Sequence, residues 1–88
     1  MYRQMPTKDK KKPVSTLMRI SAAARAAGVT RQTVEYYIMI GLVEPVRPPD
    51  RQGRFFDASL VKRIRLIRKL NDSGYTLRDI REVYFRGK

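Results

Sequence analysis

Apolar residues in this chain fall on short helical stripes, and glycine-containing turns separate one stripe from the next. Ile20 precedes Ser21, a natural N-cap, and the alanine-rich stretch Ala22 to Ala27 reads as a first helix. Alanine is both the best helix former and the smallest side chain, so this helix can form and let a neighbour come close. Gly28 supplies the left-handed residue that ends it. Thr30 caps a second predicted helix, Arg31 to Ile40, which Gly41 closes in the same way. Val34, Tyr37 and Ile38 form its buried stripe, leaving Arg31, Gln32, Glu35, Tyr36 and Met39 away from the centre of that stripe. A helix, a short glycine turn and a helix is the wiring of a helix-turn-helix.

The pattern then changes. Leu42-Val43 with Val46 predict one short strand and Arg54-Phe55-Phe56 a second, joined by the turn-forming run Pro48 to Gly53. Phe55 and Phe56 alternate across that strand, so one packs inward and the other covers the wing or meets the last helix. Asp57 caps a longer helix, Ala58 to Asn71, with Leu60, Ile64, Ile67 and Leu70 inward and Lys62, Arg63, Arg65, Arg68 and Lys69 on the remaining faces. Ser73-Gly74 stops it. Thr76 opens a last helix, with Asp79 as a variant capping box and Leu77, Ile80, Val83 and Tyr84 as its apolar side. The expected fold is mostly α: a winged helix-turn-helix of about four helices with a small two-stranded β wing, spanning residues 17–88. Residues 1–16 read as a flexible basic N-terminal arm, either tracking phosphates or serving as a solvated leader.

Charge agrees with this shape. The 88 residues hold 20 Lys+Arg against 8 Asp+Glu, a formal net charge of +12. Such an excess implies an anionic partner, nucleic acid first and an acidic membrane surface second. The basic helices bury their apolar sides, so no free amphipathic face is left for a membrane, and no apolar run approaches a span. With neither Cys nor His in the chain, disulfides, Cys/His zinc sites and Cys- or His-based catalysis are excluded. The acids Glu44, Asp50, Asp57, Asp72, Asp79 and Glu82 fall at caps, in turns or beside arginines, and form no acid–base pair. No enzymatic activity and no cofactor are expected. The absence of a secretory signal pattern places the chain in the cytoplasm, associated with the nucleoid.

The run ISAAARAAGVTRQTVEYYIMIGL (Ile20 to Leu42) resembles the DNA-binding domain of the MerR family of transcription regulators. SGYTLRDIREV (Ser73 to Val83) resembles the second half of that domain, where a turn joins two helices into a second wing. The resemblance covers about Met18 to Val83. It implies that Thr30, Arg31 and Thr33 enter the major groove while Tyr36 and Tyr37 lie against the sugar-phosphate backbone. It also implies backbone contacts from Arg51 and Arg54 in the first wing, and from Tyr75 and Thr76 in the second. Three features depart from the family's pattern. Glu35 stands where a basic residue is usual; it can accept from a cytosine amino group or pair with Arg31. Ile38-Met39 replace charged residues, and Gly53-Arg54-Phe55-Phe56 is one residue shorter than the usual wing run. Typical members continue into a coiled-coil helix and an effector-sensing region. The chain stops before both, so the expectation is a stand-alone DNA-binding module or a fragment of something longer.

Together these readings predict sequence-specific binding of double-stranded DNA by a transcription regulator. Arg31 and Gln32 read base edges, Thr30 and Thr33 anchor the helix N-terminus, and Arg47, Arg51 and Arg54 hold phosphates. RNA polymerase is a second candidate partner. The expected state is a monomer in solution with contacts between copies on DNA. Two alternatives share the fold: an excisionase-like architectural protein that bends DNA, and a protein-interaction module that has lost DNA contact.

Overall fold

Caps and backbone pairings set the boundaries of every element in the computed structural model, which describes residues 17–84. The arm expected over residues 1–16 lies outside them. Helix α1 (Ile20–Ala27) starts two residues before the expected Ala22, and Ser21 is not its cap. Arg19 takes the N-cap position in an extended conformation, with no side-chain cap bond. Backbone pairing sets how early the helix can begin. Met18 bridges antiparallel to Phe56, with hydrogen bonds of 2.9 and 2.8 Å, so the chain is held extended up to Arg19. Gly28, at φ +76°, ends α1 and donates its N–H to the Ala24 and Arg25 carbonyls.

Helix α2 (Arg31–Met39) is capped by Thr30, whose hydroxyl accepts from the Thr33 N–H at 3.1 Å. It stops one residue short of the expected Ile40, which becomes the C-cap, and Gly41 follows at φ +84°. The predicted two-stranded wing is reduced to isolated bridges: among the described residues, Val46 pairs with Phe55 and Met18 with Phe56. Leu42 and Val43 do not extend the wing. They are buried at 0% and 3% exposure and belong to the core. The wing's second partner therefore comes from the segment before α1 rather than from the one after α2.

Asp57 caps α3 (Ala58–Asp72) as expected, its Oδ1 accepting from the Leu60 N–H at 2.9 Å. The helix runs one residue past the predicted end before Ser73 and Gly74 close it. Replacing Asp57 with Ala should cost about 1 kcal/mol, because a helix-start N–H then loses its acceptor. The measurement is the urea midpoint; an unchanged midpoint would count against the cap. Helix α4 (Leu77–Tyr84) opens with the Thr76 hydroxyl accepting from the Asp79 N–H at 3.0 Å.

Helix α1 packs on both α2 and α3, and α4 packs on α3. Ala23, Ala24 and Ala27 give α1 a small-residue face against Val34, Tyr37, Val61, Ile64 and Ile67 in the same core cluster. Val61 is buried in α3, while the expected Leu60 and Leu70 are only half-buried. In α4 Ile80 is buried, but Val83 is 72% exposed and so does not join the expected apolar side; the Tyr84 side chain lies outside the described residues. Both wing phenylalanines are buried, and they divide as alternation predicted, one inward and the other at the wing. Phe56 enters the main core, whereas Phe55 is covered at the wing by two guanidinium groups: Arg19 at 4.6 Å and Arg51 at 4.4 Å from its ring centroid.

Candidate nucleic-acid interface

The helix-turn-helix presents the first turn of α2 to solvent because Val34 and Tyr37 commit the opposite stripe to the core. Thr30, Arg31 and Gln32 are exposed and Thr33 is half-buried. The Thr30 and Thr33 hydroxyls share a hydrogen bond of 2.9 Å, so both are fixed at the N-terminal edge of α2. Tyr36 and Tyr37 part company. Tyr36 is 47% exposed on the outer side, while Tyr37 is 2% exposed within the core cluster. Burial raises the Tyr37 phenol pKa above its ordinary value, keeping it neutral throughout the physiological range.

An open groove of about 990 Å³ runs alongside α2. Thr30, Gln32, Thr33 and Tyr36 line one part of it, and Arg68, Asn71 and Leu77, from the end of α3 and the start of α4, line another. The Arg68 guanidinium is held by Asp72 one turn on, at 3.0 Å. Beside the groove, the turn before α4 is tied down. The Asn71 side-chain amide donates to the Tyr75 carbonyl at 2.8 Å, leaving the Tyr75 ring 45% exposed. Thr76 is exposed, although its hydroxyl already accepts from the Asp79 N–H. The second-wing candidates thus sit on the same side as the groove's α4 end, in a fixed turn.

The first wing is built differently from the expectation of three arginines facing phosphate. Arg47 is exposed, and Arg51 lies half-buried over Phe55. Arg54 turns toward α2 and makes a bidentate pair with Glu35, Nη1 to Oε1 and Nη2 to Oε2, both at 3.0 Å. Arg31 approaches the same carboxylate, its Nε 3.7 Å from Oε2. The hydrogen bond from Arg54, with the two positive charges, holds the Glu35 carboxyl below its ordinary pKa. The pairing therefore exists at and above the ordinary glutamate range and is lost only as pH falls through that lowered value. Gly53, at φ +110°, makes room for Arg19 as well: a Cβ there would meet Arg19 Nη1 at 3.0 Å.

Arg19 and the Glu35–Arg54 contact are features that periodicity does not reveal. Arg19 directly precedes α1, where nothing local marks it as a lid for Phe55. Glu35 and Arg54 are joined only by folding, and opposite charge was the sole sequence signal.

A helix-turn-helix with its second helix exposed, a wing packed on that helix and a second turn beside it is a recognisable arrangement. The profile described as "MerR HTH family regulatory protein" matches residues 18–84, nearly all of the described chain. The chain belongs to the MerR family. The HTH-type transcriptional regulator CueR of Bacillus subtilis (strain 168) is 38% identical over 64 residues, covering 73% of this chain and 44% of that protein. Heavy metal-dependent transcription regulator 2 of Rhizobium meliloti (strain 1021) is 29% identical over 66 residues, covering 75% of this chain and 45% of the relative. Among solved structures, the transcription regulator PbrR691 from Ralstonia metallidurans CH34, determined in complex with lead(II), superposes with a TM-score of 0.66 at 29% identity. That superposition covers 74% of this chain and 50% of the other. The chain therefore spans less than half the length of these curated relatives, and the shared part is the MerR helix-turn-helix domain. The metals in those names belong to those proteins. Among the described residues of this MerR domain, no helix is long and apolar enough to cross a membrane.

Proposed function

We propose that this MerR-family chain binds double-stranded DNA sequence-specifically as a transcription regulator, with α2 in the major groove and the two wings on the backbone. The observation that carries this reading is the exposed, hydroxyl-capped first turn of α2. It offers Arg31 and Gln32 outward in a chain of net charge +12. Arg and Gln match the two-point hydrogen-bonding edges of guanine and adenine respectively. Thr30 and Thr33 anchor the helix start, Tyr36 packs along the sugar-phosphate backbone, and Arg47 and Arg51 hold phosphates from the first wing. Tyr75 and Thr76 do so from the second wing. Tyr37 supports the helix from below, and Arg54 acts through its bond to Glu35 before any phosphate.

A domain of this size covers one half-site, so useful specificity needs adjacent copies on DNA. The 88 residues are then single in solution and paired on the duplex, which light scattering with and without DNA resolves. RNA polymerase at the regulated promoter is the further partner, and the nucleoid in the cytoplasm is the place of action.

Selection of bound sequences from a random duplex pool tests the reading directly. A recovered motif supports it and gives the half-site arrangement, while no enrichment would favour a protein-interaction module. If about six phosphates are neutralised, affinity falls with salt at a log–log slope of roughly −5. A slope near zero would remove the electrostatic half of the proposal.

A further inference from the structure

Arg31 is long, flexible and, at 61% side-chain exposure, held by little of the protein surface. An arginine in that condition reads bases poorly, because its guanidinium must be ordered at the moment of binding. The structure supplies an ordering element one helical turn away. Glu35 is itself pinned, since Arg54 engages both of its oxygens at 3.0 Å. A carboxylate fixed at both oxygens cannot rotate as a surface glutamate does, so its remaining acceptor capacity points in a set direction. Arg31 meets it through Nε, at 3.7 Å from Oε2. Contact through Nε is the geometry that lets the two terminal nitrogens serve as the fork that fits guanine O6 and N7.

We propose that Glu35 is a positioning residue for base reading: clamped from the wing by Arg54, it buttresses Arg31 so that its terminal nitrogens face a guanine. The inference rests on α2 entering the major groove. It turns a charge that opposes DNA in isolation into a specificity device, because the two flanking cations compensate the carboxylate and leave the cluster net positive. It also gives the wing a part in reading sequence, through Glu35, besides any phosphate contact.

The test runs the duplex selection in parallel on the unaltered chain, Glu35→Gln and Arg54→Gln, and compares base frequencies position by position. Arg31→Ala identifies the position that Arg31 governs. In the unaltered chain that position should be guanine. Glu35→Gln keeps the size and helix preference of the side chain but loses its charge, and should reduce the guanine preference there about tenfold while other positions hold. Arg54→Gln, which frees the carboxylate to rotate, should lower the same position. An undiminished guanine preference in Glu35→Gln overturns the proposal, as does an Arg31-governed base other than guanine. An equal weakening at every position also overturns it, because Glu35 is then only a staple between wing and helix. If the unaltered chain enriches no motif at all, the DNA-binding reading fails first and takes this one with it.

Discussion

Replacing Phe56 with Ala should leave the domain without a cooperative unfolding transition at 25 °C. Phe56 is fully buried in the main core, and its backbone holds Met18 through a pair of hydrogen bonds. Truncating a buried phenylalanine costs about 3–5 kcal/mol in lost transfer energy and unrelaxed cavity. In a domain as small as residues 17–84 a single core rarely supplies more than about 3–5 kcal/mol of net stability, so the loss consumes the margin. Thermal melts followed by circular dichroism and by dispersion of the amide NMR spectrum measure it. A sigmoidal melt with a nearly unchanged midpoint would show that the core does not depend on Phe56. Val83→Ala, at a side chain 72% exposed, is the control and should move stability by less than about 0.5 kcal/mol.

The largest functional effect should follow Arg31→Ala. A bidentate arginine–guanine contact is worth about 1–3 kcal/mol of discrimination, or roughly tenfold to a hundredfold in affinity for the preferred site. The fold should be untouched, because Arg31 is exposed and meets the Glu35 carboxylate only loosely, at 3.7 Å. Binding to an unrelated duplex should fall far less, since most of that binding is electrostatic and spread over many cations. Affinities for the selected site and for a scrambled duplex, measured at one salt concentration, separate the two terms. Equal losses on both would reassign Arg31 to phosphate. Arg47→Ala offers the contrast: exposed on the wing, it should weaken both duplexes alike and make the salt slope shallower by about 1.

Much of the helical framework was legible in the sequence because its determinants are local. Thr30, Asp57 and Thr76 cap the helices they were expected to cap, and Gly28 and Gly41 end the two helices they were expected to end. These signals act over three or four residues, and composition alone displays them. The wing was read less well because its partners are distant. Met18 pairs with Phe56 across the whole helix-turn-helix, and that pairing fixes where the extended chain ends before α1. Nothing near Ser21 announces a competing strand partner.

The candidate site divides along the same line. The exposed positions of α2 follow from a helical stripe, so Arg31, Gln32 and Tyr36 stand outward as periodicity requires. The state of Glu35 does not follow from any stripe. On the helix alone it had two open options, a cytosine amino group or Arg31. The fold added Arg54, which takes both carboxylate oxygens and changes what each of the other two residues can do. Tyr37 shows the converse. Its buried side of the helix was visible from spacing, and the structure places it in the core cluster.

The bridge between Met18 and Phe56 also orders the events of folding. Helices α1 and α2 and the turn between them close over short stretches of chain and can form early. The wing must wait until a segment before α1 finds one beyond α2, a closure whose entropy cost is met late. Phe55 and Phe56 are buried, so once the wing has closed it reopens only at the expense of core packing. A brief opening of the wing releases Arg54 from Glu35 and Arg51 from Phe55 together. The arrangement of Arg31, Glu35 and Arg54 is therefore tied to the packing of the wing.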